Sequence, residues 1–567
     1  MDVFRFRDHI IADYHRYVSS FISVAQPELR QFVDDSFASG KLWPDPLIQL
    51  NPTFKRGKSI DDLVHEGVLH EECSNVFRRN KTQTATTGEP LLLHQHQEDA
   101  IRKAKAGRNY VLTTGTGSGK SLAYIVPIVD KVLRGGAGHG IQAVIVYPMN
   151  ALANSQAGEL EKFLKFGFAD RKGPVSFDRY TGQEDDEMRN RIIAQPPDIL
   201  LTNYVMLELI LSRPREKNLT ASANDLQFLV LDELHTYRGR QGADVAYLLR
   251  RVRELFGEEK LQCVGTSATL SRRGTWQEQQ TEVARLATRL FGKDVEADDI
   301  IGETLERFTT PLNEAEDKDV AALTKAVASE AERPLNSFEQ LVNDPIARWV
   351  EGTFGVMPEP SSDRLVRSRP IPLTGSSGAA EKLARLTNTS AEKCTAMIAQ
   401  TLLAGATRVR HPETNFPVFP FRLHQFVSRG DTVYATVEAP AERYLTIHGQ
   451  LFSPNDRSKV LLPLCFCREC GQEYYSVYLL QDSGGQKLEP RELHERVRKV
   501  LPRDAHDRTE VPSQKQGFIY LSTDKPWPFK STEEQYARLP PDWIEERNGQ
   551  KRIIASRREK LPPAAEC

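Results

Sequence analysis

The sequence predicts an α/β fold, with a doubly wound parallel sheet over residues 89–298, from two patterns that alternate along the chain. The first pattern is a set of short, continuous apolar runs, which is typical of strands buried on both faces of a parallel sheet. These runs are Ala143–Tyr147, Asp198–Thr202, Gln227–Leu231 and Leu261–Gly265. The second pattern is a set of amphipathic helical segments between the runs, such as Ala243–Leu255. In such a sheet, functional residues lie at the carboxyl ends of the strands.

A third observation, the stretch Thr113–Ser121, indicates what the sheet binds. It reads Thr-Thr-Gly-Thr-Gly-Ser-Gly-Lys-Ser, and it lies between a predicted strand, Arg108–Leu112, and a predicted helix that starts at Leu122. A strand, a glycine-rich turn and a helix in this order form a loop whose backbone N–H groups bind phosphate. Lys120 would contact the β- and γ-phosphates of ATP, and the Ser121 hydroxyl would bind Mg²⁺. The predicted nucleotide-binding residues of this loop are Thr114, Gly115, Thr116, Gly117, Ser118, Gly119, Lys120 and Ser121.

Two carboxylates at another strand end and a glutamine before the loop complete the predicted ATP site. Asp232 and Glu233 directly follow the apolar run that ends at Leu231. Because a carboxylate at the end of a buried strand is costly unless it meets a cation, Asp232 is a predicted Mg²⁺ ligand. Glu233 would orient or deprotonate the attacking water, so we predict that Asp232, Glu233 and Lys120 are the catalytic residues. Gln97 can read adenine, since its amide offers both a donor and an acceptor.

The bulk composition indicates an ordinary globular protein of several domains. The chain has 567 residues, of which 39% are hydrophobic and 27% are charged. No apolar run reaches the roughly 18 residues that a membrane span needs, so we predict no membrane partner. The start of the sequence lacks the apolar region of a signal peptide, and the seven cysteines suit a reducing compartment, so we predict a cytoplasmic protein. The formal net charge of -2 neither indicates nor excludes nucleic-acid binding, because a basic groove can lie on one face of a near-neutral protein.

The regions outside the predicted sheet differ from it in character. Residues 1–88 show helical spacing of apolar residues, and we interpret them as an N-terminal helical region. Residues 299–410 are predicted to be a helical accessory region. Residues 411–567 are predicted to be β-rich, on the evidence of the runs Thr432–Val437, Tyr444–His448 and Lys459–Leu464.

Seven short motifs between residues 90 and 270 carry a resemblance to a known family. They are Gln97, Thr114–Ser121, Tyr147–Ala153, Tyr180–Gly182, Thr202–Asn203, Asp232–His235 and Ser267–Thr269. In this order they resemble the first RecA-like domain of superfamily 2 helicases of the DEAD/DEAH-box type. The acidic box reads Asp-Glu-Leu-His, which is similar to the DExH side of that superfamily. The segment His235–Gly239 and the helix after it are also similar to large bacterial helicases with a cysteine-cluster region.

The resemblance implies a RecA-like doubly wound parallel sheet, that is, a P-loop NTPase fold, and it implies further roles for individual residues. His235, Ser267 and Thr269 would couple the nucleotide state to the bound nucleic acid. Backbone amides and short hydroxyls suit contacts with a sugar–phosphate backbone. The residues whose motifs imply such contacts are Pro148, Thr181, Gly182, Thr202 and Asn203. The implied partner is nucleic acid, with DNA favoured over RNA.

A helicase of this superfamily needs a second RecA-like domain, which supplies arginine fingers. No Gln-x-x-Gly-Arg-x-Gly-Arg-like motif follows residue 270. We therefore expect a truncated or split product in which residues 300–567 are an insertion that precedes the second motor domain in the full-length family. A partner chain that carries the second RecA-like domain is the other way to complete the motor. Arginine fingers contribute on the order of 10³ to 10⁵ in rate, so this chain alone would hydrolyse ATP slowly or not at all.

The cysteines near the carboxyl terminus indicate an incomplete zinc site. Cys467-Arg-Glu-Cys470 resembles one knuckle of a zinc ribbon, and a tetrahedral structural site needs two such pairs. The later ligand that the sequence offers is Cys567. We predict that Cys467, Cys470 and Cys567 are Zn²⁺ ligands; the alternative is a pair of buried thiols on a β-turn.

The sequence is compatible with two functions from different classes. The leading hypothesis is the ATP-binding portion of a nucleic-acid helicase or translocase. The alternative is a non-catalytic subunit that binds nucleic acid or protein partners in a larger assembly. A small-molecule kinase is disfavoured, because Asp232–His235 together with Ser267–Thr269 suits water attack and force coupling.

Overall fold

A computed structural model of the chain divides into two compact units, one formed by residues 1–47 and 424–567 and the other by residues 48–423. The structure describes residues 2–20, 23–40, 42–82, 88–115, 117–168, 172–257, 260–268, 274–329, 333–359, 364–428, 432–468, 470–482, 485–493, 513–521, 533–539 and 541–558. Within these ranges no helix is both long enough and apolar enough to cross a membrane.

The helices and strands are numbered here in chain order. The helices are α1 (Val3–Ser19), α2 (Pro27–Ala38), α3 (Ile60–His65), α4 (Cys73–Val76), α5 (Gln95–Lys105), α6 (Leu122–Gly135), α7 (Asn150–Leu164), α8 (Asp186–Ala194), α9 (Tyr204–Ser212), α10 (Lys217–Ser222), α11 (Gly239–Phe256), α12 (Trp276–Phe291), α13 (Asp317–Ala328), α14 (Phe338–Val342), α15 (Pro345–Phe354), α16 (Ala379–Thr387), α17 (Ala391–Leu403), α18 (Glu533–Ala537) and α19 (Ala555–Arg558). The strands are β1 (Leu47–Leu50), β2 (Thr53–Phe54), β3 (Arg56–Ser59), β4 (Arg78–Arg79), β5 (Glu89–Pro90), β6 (Leu92–His94), β7 (Tyr110–Thr113), β8 (Ala143–Tyr147), β9 (Phe177–Tyr180), β10 (Ile199–Asn203), β11 (Phe228–Leu231), β12 (Gln262–Ser267), β13 (Ile300–Gly302), β14 (Leu305–Glu306), β15 (Val356–Pro358), β16 (Leu365–Arg367), β17 (Ile371–Pro372), β18 (Phe421–His424), β19 (Tyr434–Ala435), β20 (Leu445–Thr446), β21 (Leu462–Phe466), β22 (Glu473–Asp482), β23 (Gly485–Pro490), β24 (Ser513–Ile519), β25 (Ile544–Arg547) and β26 (Gln550–Ile553).

The larger unit is built on a seven-stranded sheet in the order β13-β7-β12-β11-β8-β10-β9. Every neighbouring pair in this sheet is parallel. The prediction of a doubly wound α/β fold is therefore confirmed, and each of the four predicted apolar runs forms a strand. Strand β13 is an edge strand that the sequence did not predict, and it begins beyond the predicted domain boundary at residue 298.

Two hydrophobic cores cover the two faces of this sheet, because neighbouring strand residues point to opposite sides. Ile145 and Val230 pack in one core with residues of α5, α6 and α7. Val144 and Leu229 pack in the other core with residues of α9, α11 and α12. Both faces are buried, which explains why the strands are continuously apolar in sequence.

The segment before the sheet is less helical than predicted. Helices α1 and α2 follow the predicted pattern, whereas residues 47–59 form three short strands, β1, β2 and β3. Strand β3 pairs with β6, which leads directly into α5. These runs are too short to show a clear period in the sequence, so the prediction of a mostly helical segment is wrong for this stretch.

The smaller unit contains a six-stranded sheet in the order β20-β19-β21-β22-β23, with β24 paired to β22. Leu29 of α2 packs on the apolar face of this sheet with Leu464 and Tyr475. The buried guanidinium of Arg443 pairs with the carboxylate of Glu28, at 2.7 Å.

Candidate nucleotide-binding site

The glycine-rich stretch joins β7 to α6 as predicted, and we call residues 114–121 the phosphate loop. Gly117 and Gly119 have φ angles of 83° and 70°, in the left-handed region that favours glycine. A Cβ atom on Gly119 would lie 2.5 Å from the Gln97 side-chain nitrogen, so a larger residue there would displace the Gln97 amide. Within the loop, the Thr114 and Ser118 hydroxyls are hydrogen-bonded at 2.6 Å. Thr116 lies outside the described residues.

The first turn of α5 holds the phosphate loop from behind. The Nε2 atom of His96 lies 2.9 Å from the Ser118 carbonyl oxygen. The Gln97 amide N–H donates to the Gly119 carbonyl at 2.8 Å. These two bonds hold loop carbonyls on the α5 side and leave backbone N–H groups of the loop to face an anion. His96 was missed by the sequence analysis, and its position just before Gln97 is the one signal that points to it.

Gln97 has both ends of its amide engaged. Besides the bond to Gly119, its Oε1 atom accepts from the His94 backbone N–H at 2.8 Å. Its side chain is buried. The structure thus gives Gln97 a role in holding the loop, and its predicted contact with adenine stays a prediction.

Lys120 points from the phosphate loop toward the acidic residues after β11. Its Nζ atom lies 3.4 Å from the Thr114 carbonyl oxygen and 3.6 Å from Glu233 Oε1. Both side chains are mostly buried, with 12% and 22% of their surfaces exposed. The next residue, Ser121, is the N-cap of α6. The structure therefore brings the phosphate loop and the acidic box together, although they are far apart in sequence.

Asp232 is placed by Thr266, a residue that the sequence analysis did not assign to the site. The Thr266 hydroxyl donates to Asp232 Oδ1 and also accepts from the Glu233 backbone N–H. Burial raises the pKa of the Asp232 carboxyl above its ordinary value, and the charge of Glu233 adds to this, against the opposing effects of Thr266 and Lys120. A buried oxygen donor whose charge is unfavourable by itself fits a hard divalent cation such as Mg²⁺.

Glu233 adopts a conformation that is rare for a residue with a side chain. Its φ angle is 54°, in the left-handed region, where a non-glycine residue is strained. Its Oε2 atom is buried and makes no hydrogen bond. Backbone strain and a buried carboxylate oxygen at the end of a central strand are typical of functional positions.

His235 connects Glu233 with the strand β12. Its Nδ1 atom lies 3.2 Å from the Ser267 hydroxyl and 3.2 Å from Glu233 Oε2. Ser267 is fully buried at the end of β12. Two of the three residues predicted to couple the nucleotide to nucleic acid therefore meet next to Glu233, and the third, Thr269, lies outside the described residues.

The residues predicted to contact nucleic acid meet at the carboxyl ends of β8, β9 and β10. Pro148 follows β8 and is half-buried. The Thr202 hydroxyl is buried and donates to the Tyr180 carbonyl at 2.7 Å. The Asn203 amide donates to the Thr181 carbonyl at 3.0 Å. The structure thus brings these residues together, but the Thr202 and Asn203 side chains donate to backbone carbonyls of the same domain. The predicted contacts with nucleic acid stay predictions.

Glu184, which no sequence motif predicts as a site residue, organises the turn that contains Thr181 and Gly182. Its carboxylate accepts from the backbone N–H groups of Thr181 and Gly182, at 2.8 and 2.9 Å, and from the Thr181 hydroxyl at 2.9 Å. Burial acts to raise the pKa of Glu184, but these donors and Arg179 outweigh burial, so the pKa lies below its ordinary value. Glu184 is therefore an ionised, internally bound carboxylate.

The cysteine motif forms a tight turn between β21 and β22. The Cys467 N–H donates to the Gln472 carbonyl at 2.9 Å, and the Gly471 N–H donates to the Cys467 carbonyl at 2.9 Å. Among the described residues, no group of three or more His, Cys, Asp or Glu side chains is arranged to hold a metal ion. Cys567 lies outside the described residues, so a zinc site stays a prediction.

A parallel sheet with a glycine-rich loop, a lysine facing an acidic pair, and hydroxyls on the neighbouring strand defines a RecA-like P-loop NTPase domain. The sequence model of the DEAD/DEAH box helicase family matches residues 94–275. The resemblance seen in the motifs is therefore confirmed: residues 94–275 match the DEAD/DEAH box helicase family.

Several known proteins are similar to parts of the chain. The Druantia protein DruE of Escherichia coli (strain UMEA 4076-1) is 27% identical over 381 residues, which cover 47% of this chain and 20% of that protein. The ATP-dependent helicase hrq1 of Schizosaccharomyces pombe is 33% identical over 180 residues, which cover 31% of this chain and 16% of that protein. The chain thus matches a fifth or less of each relative's length. The crystal structure of the DUF1998 helicase MrfA bound to DNA superimposes with a TM-score of 0.35 and 21% identity, over 49% of this chain and 34% of that one.

Proposed function

We propose that residues 94–302 bind ATP with Mg²⁺ and hydrolyse it, and that hydrolysis drives movement of the protein along nucleic acid. The observation that carries this proposal is the 3.6 Å approach of Lys120 Nζ to Glu233 Oε1, beside the phosphate loop. This approach combines a phosphate-binding cation with the carboxylate that water attack requires. The membership of residues 94–275 in the DEAD/DEAH box helicase family supports the same conclusion.

Each residue of the site has a role in this proposal. The phosphate loop binds the phosphates through backbone N–H groups, and Lys120 exchanges Glu233 for a phosphate oxygen. Asp232, held by Thr266, and the Ser121 hydroxyl would hold Mg²⁺. When bound, Mg²⁺ neutralises phosphate charge in the transition state. Glu233, whose carboxylate lies between Lys120 and His235, orients and deprotonates the attacking water.

The proposed link to nucleic acid runs from Glu233 to the ends of the neighbouring strands. His235 contacts both Glu233 and Ser267. A movement of Glu233 on ATP hydrolysis would therefore shift His235 and, through it, Ser267 at the end of β12. The ends of β8, β9 and β10 carry the motif residues that family resemblance assigns to the nucleic-acid backbone. DNA is the favoured track, and a second motor domain supplied from outside this chain stays a prediction.

Single-turnover hydrolysis with protein in excess over ATP tests the proposal, because it detects slow chemistry. We expect Glu233→Gln to lower the rate by about 10² to 10⁴, the range for removal of a general base, while ATP still binds. Glu254→Gln, at an exposed position on α11, is the matched control and should leave the rate unchanged. Adding single-stranded DNA should stimulate the wild-type rate more than adding single-stranded RNA.

Two outcomes would contradict the proposal. Equal rates for the wild type and Glu233→Gln would remove Glu233 from the chemistry. A protein that binds single-stranded nucleic acid equally well with or without ATP, and that shows no hydrolysis in a single turnover, would support the non-catalytic binding subunit instead.

A further inference from the structure

An ion pair that belongs to none of the helicase motifs lies against the phosphate loop. Glu303 follows the edge strand β13, and Arg367 ends the short strand β16. Both side chains are mostly buried, with 16% and 22% of their surfaces exposed. Neither residue lies within the segment that matches the helicase family, residues 94–275.

The pair has the bidentate geometry that a guanidinium makes with an oxyanion. Arg367 Nε donates to Glu303 Oε1 at 2.7 Å, and Arg367 Nη2 donates to Glu303 Oε2 at 2.8 Å. The same Oε2 atom accepts from the backbone N–H of Gly115, in the phosphate loop, at 3.3 Å. A carboxylate oxygen therefore receives both an arginine and a loop N–H, which are the two kinds of donor that bind nucleotide phosphates.

Arg367 is in direct contact with the phosphate loop. A Cβ atom built on Gly115 would lie 2.9 Å from Arg367 Nη2, so the guanidinium packs where a side chain would otherwise be. The Phe54 ring lies on another side, 5.6 Å from the guanidinium carbon. A second guanidinium, that of the exposed Arg422, would lie 3.9 Å from a Cβ atom on Gly117. The loop thus has cationic side chains from two segments outside the helicase domain.

We propose that Arg367 is a phosphate-binding residue of the nucleotide site, and that Glu303 is an internal anion that competes with the nucleotide for Arg367 and the Gly115 N–H. This inference rests on the proposed function, because it assumes that the loop binds ATP. Carboxylate and phosphate match the guanidinium fork equally well. A triphosphate carries more charge than one carboxylate and also binds Lys120, so it displaces Glu303.

The length of the Glu303 contact with the loop supports an exchangeable role. At 3.3 Å the Gly115 N–H bond is longer than the usual 2.7–3.2 Å range. The alternative is that the pair only ties β13 to β16. In that case it would affect folding, but it would not distinguish ATP from ADP.

Equilibrium titration of the full chain with Mg²⁺–ATP and Mg²⁺–ADP, followed by calorimetry, separates these readings. We expect Arg367→Ala to weaken ATP binding by about 10- to 100-fold, the effect of losing charged hydrogen bonds, and to weaken ADP binding less. Arg367→Lys should restore part of the affinity, because it keeps the charge but loses the fork. Glu303→Gln should tighten ATP binding by about 3- to 10-fold, since the competing anion is gone.

Two controls make the titration decisive. Arg369→Ala removes an exposed arginine two positions away and should leave both affinities unchanged. Lys120→Ala should abolish binding of both nucleotides. Melting curves without nucleotide establish that each variant is folded.

The outcomes separate this inference from the proposed function. If the wild type does not bind ATP, the proposed function fails and this inference fails with it. If the wild type binds ATP and Lys120→Ala does not, while Arg367→Ala keeps the wild-type ratio of ATP to ADP affinity, only this inference is overturned. Equal weakening by Arg367→Ala and Glu303→Gln would also overturn it, because that result describes a structural ion pair.

Discussion

At the carboxyl ends of the parallel strands, two regions on opposite sides of the sheet bind an internal carboxylate through backbone N–H groups, but they do so in different ways. Beside the nucleotide site, Glu303 accepts from Gly115 at 3.3 Å and shares its charge with Arg367. At the ends of β9 and β10, the buried Glu184 accepts from Thr181 and Gly182 at 2.8 and 2.9 Å. The first carboxylate comes from a distant segment, whereas the second belongs to the turn that it binds.

This difference indicates which of the two carboxylates another anion can replace. Glu184 follows its donors by a few residues, so it cannot leave without opening the turn. Glu303 lies 188 residues after Gly115 in the sequence. It can therefore leave the phosphate loop without any change in the loop backbone. The nucleotide end is therefore suited to exchange one anion for another, whereas the Glu184 turn is a fixed part of the scaffold.

Replacing each carboxylate by its amide gives the largest expected contrast between the two regions. Glu184→Gln should lower local stability by about 2 to 4 kcal/mol, because buried N–H donors lose a charged acceptor. Glu303→Gln should change the stability of the phosphate loop by less than about 1 kcal/mol, since Glu303 makes one long N–H contact with the loop and its short bonds go to Arg367, outside the loop. Amide hydrogen exchange of residues 177–185 and 110–121 measures the two effects separately.

Glu187→Gln, at an exposed position in the first turn of α8, is the control for Glu184 and should not alter exchange. If exchange of residues 177–185 were unchanged in Glu184→Gln, Glu184 would not be a fixed part of the turn, and the contrast with Glu303 would be lost.

A change in pH is expected to have a smaller effect on stability, in the region of α5 beside the phosphate loop. Burial lowers the pKa of His94 to about 4, and the neighbouring His96 ring adds to the shift. The unfolded chain takes up this proton near pH 6.5, so the folded state loses stability as pH falls from about 6.5 toward 4. We expect the free energy of local unfolding of α5 to fall by about 1 kcal/mol between pH 7 and pH 5.

Hydrogen exchange of residues 92–105 at the two pH values, corrected for intrinsic rates, measures this loss. His94→Gln should reduce the pH dependence, whereas His424→Gln, at an exposed position, should not. A pH dependence that is identical in His94→Gln would show that another group is responsible.

The sheet and the motif residues were predictable because their signals are local. The strand Ala143–Tyr147 is a continuous apolar run with the length and composition of a buried strand. Lys120 and Asp232 each occur in a short motif whose spacing is set by the single turn that follows a strand. Such patterns do not depend on what lies elsewhere in the chain.

The residues that were missed act through partners or geometry that a sequence does not display. Thr266 is one hydroxyl among several in its motif, and only the fold places it on Asp232. Strand β13 is too short to show periodicity, and it is recognisable only by its pairing with β7. Arg367 and Glu303 meet across a long stretch of chain, and no spacing rule relates them.

The phosphate loop and the acidic residues after β11 form one nucleotide site only if Asp232 contributes to the binding of Mg²⁺ with ATP. The dependence of ATP affinity on Mg²⁺ in the wild type and in Asp232→Asn measures this contribution. We predict that the wild type binds ATP at least about 10-fold more tightly with Mg²⁺ than with a chelator, because the metal joins Asp232 to the phosphates. In Asp232→Asn this difference should disappear, whereas Asp244→Asn, at an exposed position on α11, should retain it. The same Mg²⁺ dependence in the wild type and in Asp232→Asn would contradict the account.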